Sequence, residues 1–382
     1  MIETRAAPDT EEGAGPDPAG SLAPIWWERF LGATERFLFD RPAWLLLAVL
    51  ALADLVKNGA AEDPNVGIWL RIARAFPGNP HLPAGVQYQQ ASPIGPALAH
   101  LLGIRGPGGY VTLHVAVIVT ALGVLVVGLG RVGGRPAVTA GLVAFLATPL
   151  SNILLSVGAQ DPFTFLFASM AVLFESPLLA VVAGAGLAAS HLEVGIFTVV
   201  AVTVLRVLDD RPLRPATAMG LVGGLLATAG AVVGYEHHAG VGLSARASFI
   251  HRTGLRVLLG DFLDELPTWL FSTFGAFWLF AVVTCSRWWA LRTVRALAVL
   301  ATGAGLVTVV TLDETRVFAL LTWPLVLWLT LLAVRRLEPG TLRRLTALTF
   351  LAALVLPRII VFEGRPAVSY ASDLIGPLLR HL

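Results

Sequence analysis

Long apolar runs separated by short turns organise this chain. About 20 apolar residues carry a helix across the hydrocarbon core of a bilayer, and fewer suffice where a helix is only partly embedded. On that scale the runs predict eleven helices. They fall at about 43–57, 110–130, 136–153, 161–175, 177–190, 193–208, 216–235, 266–285, 292–311, 317–334 and 343–361. The three between 161 and 208 follow one another with only "ESP" and "SHLE" between them. The fold class this predicts is an all-α polytopic membrane protein. One more apolar stretch, "SPIGPALAHLLG" at 92–103, is short and carries Pro93 and Pro96. It reads as a juxtamembrane or half-embedded helix.

Before the first run, "PIWWERFLGATERFLFDRP" interleaves Trp26, Trp27, Phe30, Phe37 and Phe39 with Arg29, Arg36 and Arg41. That mixture predicts an amphipathic helix over 25–41 on the membrane surface, or a plain lead-in to the first span. Residues 1–24 are rich in Pro, Gly, Ala and acids and read as a disordered cytoplasmic tail. The rest, 42–382, is expected to be one transmembrane domain with outer loops at 58–109 and 236–265.

Composition strengthens the pattern. The 382 residues are 56% hydrophobic and 14% charged, where a soluble domain is about 25% charged. Mean hydropathy is +0.75. A net charge of +2 gives no reason to expect nucleic acid as a partner. The lone Cys285 excludes a disulfide framework and a cysteine metal site. Arginine sets the expected orientation. With the N-terminus inside, sixteen of the 27 basic residues fall on inner segments, including Arg131, Arg135, Arg206, Arg335, Arg343 and Arg344.

In that orientation the unusual polar residues gather on the outer face. Glu62 and Asp63 follow the first run, and Tyr88, Gln89 and Gln90 come later in the same loop. Gln160 and Asp161 open a short helix, and His191 and Glu193 lie between two others. "EHHAG", Arg252 and Arg256 belong to the 236–265 loop, and Asp313, Glu314 and Arg316 stand before the 317–334 run. Ionisable groups at helix ends near a bilayer are costly unless paired or facing water. Their concentration on one side predicts a polar cavity opening outward. Plainer readings stand beside it. Asp161 before Pro162 also fits a helix cap. His191 and Glu193, two apart, do not share a helix face.

The chain resembles membrane glycosyltransferases of the GT-C superfamily, which use lipid-phosphate-linked sugars. The likeness rests on Asp63 just after the first run, the amphipathic 65–76 stretch, and Tyr88 followed by Pro93 and Pro96. It continues in "TPLSNILLSVGAQDPFTFLF", whose Gly158, Gln160 and Asp161 look like a family turn. It covers roughly residues 40–210. The resemblance implies a GT-C-like fold and an inverting transfer at the outer face of the plasma membrane. The donor would be a polyprenyl-phosphate sugar, such as a mannosyl or arabinosyl lipid. The acceptor would be an envelope glycan or glycolipid, and membrane lipids would surround the site.

Such a transfer needs one carboxylate as general base. Asp63 is the first candidate, then Glu62, then Asp54 near the outer end of the first run. It also needs a cation for the departing phosphate, for which Arg316 comes first, then Arg252 or Arg256. Asp161, Gln160, Tyr88, His191, Glu193, Asp313 and Glu314 are the further candidates for the substrate. Family members differ in metal use. No ligand cluster in the sequence assigns one, so a divalent metal stays open as a cofactor. The arginine and alanine bias suggests a bacterial chain. The alternatives are a transporter or flippase of a lipid-linked sugar, which needs the same cavity and access from both sides, and a non-catalytic scaffold. No internal repeat of the kind many transporters carry is present.

Overall fold

A computed structural model of the chain describes residues 25–83, 86–209, 214–240, 254–309, 311, 313–362 and 365–368. The tail 1–24 and residues 241–253 of the 236–265 loop, Arg252 among them, lie outside the described residues. Among those described, the fold is all-α apart from two small strand pairs.

The helices are α1 (Ile25–Asp40), α2 (Ala43–Asn58), α3 (Val66–Ala75), α4 (Ile94–Leu101), α5 (Pro107–Ala147) and α6 (Leu150–Leu154). The short helices α7 (Asp161–Leu173), α8 (Pro177–Ser190) and α9 (Leu192–Leu208) come next, then α10 (Pro215–His238) and α11 (Leu255–Asp264). The chain continues through α12 (Leu266–Phe274), α13 (Phe277–Arg287), α14 (Arg292–Thr308), α15 (Glu314–Arg336) and α16 (Pro339–Val355). Strands β1 (Ala61–Glu62) and β2 (Ser156–Val157) pair in parallel, and β3 (Ile359–Phe362) and β4 (Arg365–Val368) pair antiparallel. Pro107, Pro162, Pro177, Pro215 and Pro339 sit in first turns, where a missing N–H costs nothing.

Helix forms in all eleven predicted runs, but with corrections. Among the described residues three helices, α5, α10 and α15, are long and apolar enough to cross a membrane. A fourth crossing arises if the bent pair α12 and α13 is counted as one. The predicted single helix 266–285 is thus broken by 83°. Gly275 sits at the break with φ 51°, and a Cβ there would lie 2.8 Å from the Ala147 carbonyl. The predicted helices 110–130 and 136–153 are joined in α5 across a kink at Gly133 and Gly134, and Pro149 then starts the separate α6. The last run, predicted as helix to 361, ends at Val355. Pro357 follows, and the branched Ile359-Ile360-Val361 run becomes strand β3.

α15 is the axis of the fold. Every residue from Phe318 to Ala333 is buried, as expected of a helix apolar on all sides. Its Trp323 Nε1 donates to Ser169 Oγ of α7 at 2.9 Å. The main core runs from Leu31 of α1 to Val361 of β3. Helix α1 is therefore not only a surface helix. Leu31, Leu38 and Phe39 are buried in that core, while Ile25, Trp26 and Phe30 remain exposed. Ion pairs from Glu28 to Arg344 and from Asp40 to Arg343 fasten it to α16. The 58–109 segment has a smaller core of its own, with Val66, Trp69, Leu70 and Ile72 of α3, Ala99 of α4 and Tyr110 of α5.

Helices α8 and α10 touch through backbone. A Cβ on Gly184 would lie 2.1 Å from the Leu221 carbonyl oxygen, and one on Gly224 would lie 2.2 Å from that of Val181. Small residues allow this approach between apolar helices.

Candidate functional site

Two segments far apart in sequence are stitched together at one end of the bundle. Ala61 pairs with Ser156 and Glu62 with Val157. The next residue extends the ladder, Asp63 N donating to Val157 O at 2.9 Å. Strand β2 then turns at Gly158, which has φ +111° and leaves no room for a side chain. A Cβ would be 2.4 Å from Val66 Cγ2. The acid after α2 is thereby placed against the turn that delivers Gln160 and Asp161. The Asp63 side chain is buried; Asn65 N donates to its Oδ1 at 2.7 Å and Ser156 Oγ to its Oδ2 at 3.4 Å. The first contact is an Asx turn that leads into α3.

Asp161 opens α7 and is fully buried. Arg316, on the first turn of α15, brings its Nε to 2.9 Å from Asp161 Oδ2. His191, at the break between α8 and α9, brings Nε2 to 3.6 Å from Asp161 Oδ1. Neither Asp161 oxygen accepts a hydrogen bond of good geometry, so the contacts are ionic. Arg316 Nη1 also donates to Asp313 Oδ2 at 3.2 Å. The Arg316 side chain remains 30% exposed and that of Asp313 24%. Asp63 acts electrostatically on Arg316 from the neighbouring loop. Two acidic side chains thus contact one partly open guanidinium, and a third acts on it from farther away. Burial holds the Asp313 carboxyl above the usual carboxylate range, with Arg316 pulling it back.

Gln160 has a fixed position. Its Nε2 donates to Tyr110 Oη at 3.0 Å, and its Oε1 accepts from Gly95 N, at the start of α4, at 3.2 Å. Tyr110 opens an apolar run, so the sequence pattern gives no sign of this polar contact. Tyr88 is on a short 3-10 turn (Gln87–Ala91) and 40% exposed, whereas its neighbours Gln89 and Gln90 are buried. Glu62, Glu193 and Arg256 are exposed, and Glu314 is buried.

Asp54 belongs to a different network. Arg358 Nη1 lies 2.9 Å from its Oδ1, which also accepts from Asn58 Nδ2 at 2.6 Å and Ser151 Oγ at 3.3 Å. Arg358 further donates to Ser151 Oγ and to the Leu146 carbonyl. Lys57 Nζ, one helical turn on, donates to the carbonyls of Ala353 and Leu356 at the end of α16. Arg358 had seemed to lie in the last helical run, so nothing in the sequence paired it with Asp54. Among the described residues no group of three His, Cys, Asp or Glu side chains converges to hold a metal ion.

No protein-family model matches this sequence, and neither a curated protein nor a solved structure matches it. The chain is a helical protein with membrane-crossing character. Any narrower class rests on the site itself.

Proposed function

We propose that the chain is an inverting membrane glycosyltransferase of the GT-C kind, with all eleven apolar helices embedded and this site at the outer face. It transfers a sugar from a polyprenyl-phosphate carrier to an envelope glycan or lipid. The observation that carries the reading is the β1–β2 stitch, which brings Asp63 to the turn of Asp161, facing Arg316.

In this reading an acceptor hydroxyl attacks the anomeric carbon and gives its proton to the Asp63 carboxylate. The bond from that carbon to the phosphate oxygen breaks, and polyprenyl phosphate leaves. Arg316 meets the growing phosphate charge with the part of its guanidinium left open by Asp161 and Asp313. Those two acids hold the fork in place, and His191 flanks Asp161. Asp54 serves the frame rather than the reaction.

The test is transfer by the purified protein in vesicles offered a panel of polyprenyl-phosphate sugars and envelope lipid extract. Asp63→Asn should lose activity by about 10²–10⁴-fold, the usual contribution of a general base, while folding is retained. No transfer from any donor, with the sugar lipid crossing the bilayer instead, would sink the enzyme reading and favour a flippase. Transfer that survives Asp63→Asn but not Glu62→Gln would move the base and keep the class.

A further inference from the structure

The far ends of α7 and α15 carry a second polar feature, independent of the proposed transfer. A cavity of about 200 Å³ is lined there by Arg131, Arg206, Arg335, Glu175 and Trp328, with Val172 and Leu331 in its apolar wall. Arg335 lies nineteen residues beyond Arg316 on α15, about 28 Å along a helix. That is close to the roughly 30 Å of a hydrocarbon core, so the two sites belong to opposite faces. The cavity lies on the face that the arginine pattern predicts to be inner.

Arg206 is the built part. Its side chain is 7% exposed. Nη1 donates to Glu175 Oε1 at 2.9 Å and Nη2 to the Val172 carbonyl at 3.0 Å. The guanidinium lies 5.2 Å from the centre of the Trp328 ring. The remaining donor, Nε, is buried and makes no hydrogen bond. A buried N–H without a partner costs free energy that a ligand oxygen would recover. Arg335 donates to Asp209 at 2.9 Å. Arg131 rests over the Phe174 ring at 5.8 Å and has no carboxylate partner among the described residues. Three guanidiniums therefore face two carboxylates, and positive charge is left over.

We infer that this cavity holds the phosphate of an anionic lipid headgroup. Guanidiniums bind phosphate through directed, charge-assisted hydrogen bonds. A cavity of this kind at a membrane face, with apolar residues on one wall and a tryptophan beside the charges, suits a headgroup whose chains stay in the bilayer. A free phosphate shares the chemistry but gains nothing from the apolar wall.

The experiment is native mass spectrometry of the full chain in detergent, titrated separately with phosphatidylglycerol, phosphatidylcholine and inorganic phosphate. Wild type should retain phosphatidylglycerol in preference to phosphatidylcholine. Arg131→Gln, an exposed change, should weaken that retention roughly fivefold, as expected for one basic residue near an anionic surface. Arg206→Gln should abolish it, and Arg344→Gln, in the surface pair with Glu28, should leave it unchanged. Equal retention of both lipids, or retention indifferent to Arg131→Gln, would overturn the proposal even if Arg206→Gln did not fold. Inorganic phosphate binding as tightly as the lipid would assign the cavity to a soluble anion instead.

Discussion

Asp54 with Arg358 and Asp161 with Arg316 are both ion pairs at 2.9 Å, but their surroundings differ. The first is closed: the side chains are 7% and 9% exposed, and Asn58, Ser151 and the Leu146 carbonyl take up further hydrogen bonds. The second is open: Arg316 keeps 30% of its side chain accessible, and acids outnumber it. The closed pair ties α2 to the chain leaving α16, where Lys57 adds its contacts. It has little left to offer a ligand. The open pair also joins two helices, α7 and α15, but leaves part of its guanidinium accessible. The same two residue types thus make a clamp in one place and a candidate reaction site in the other.

The contrast can be broken from either side. Arg358→Leu should be the most damaging change, because it leaves Asp54 buried without its counter-charge. Loss of one partner of such a pair costs about 3–5 kcal/mol, to be read as a fall in Tm in detergent. Asp54→Asn combined with Arg358→Leu should recover part of that loss; a double variant worse than both singles would show that the pair is not a unit. Arg316→Met should lower both transfer and Tm. Transfer should fall by about 10²–10³-fold, typical of one lost charge-stabilising donor. Tm should fall as well, because buried Asp161 keeps only His191 beside it. The contrast lies in transfer: if Arg358→Leu lowers it as far as Arg316→Met in protein that still folds, the two pairs are not different in kind.

Gly158→Ala probes the stitch that builds the open site. The positive φ and the collision with Val66 should cost about 1–3 kcal/mol. Cross-linking between cysteines placed at Ala61 and Ser156 should drop accordingly. The smallest effect is expected at Asp313. Its carboxyl is held above the usual range by burial, so the ionised form costs stability at neutral pH. That cost fades as pH falls through the raised value. Asp313→Asn should therefore raise Tm slightly at neutral pH and lose the advantage in acid. The quarter of the side chain that meets water keeps the gain below about 1 kcal/mol. A loss of stability at neutral pH would mean that the bond to Arg316 outweighs the burial.

The helices were legible because an apolar run has to be buried or embedded wherever it goes, and its length shows in the letters. Their breaks were less so. Gly275 looks like any glycine in an apolar run until the Ala147 carbonyl arrives beside it. The site was legible as a set of acids and one arginine at helix ends; Asp161, His191, Asp313 and Arg316 do come into contact, and Asp63 is held on the ladder that leads to Asp161. Its architecture was not legible, because a two-residue strand pairing across some 95 positions leaves no periodic signal. Arg358 was hidden for the opposite reason. It follows an apolar run so closely that the run seemed to include it, although Pro357 marks the end of the helix.

The seam between α8 and α10 bears on how this sequence can drift. Where two helices meet through their carbonyls, even a methyl group is too large, and positions 184 and 224 have one letter available to them. Gly223, one residue away, would meet nothing within 4 Å. Neighbouring identical letters in "VGGLL" therefore have opposite freedom. A frozen residue can sit directly beside a free one, and only the partner helix tells them apart.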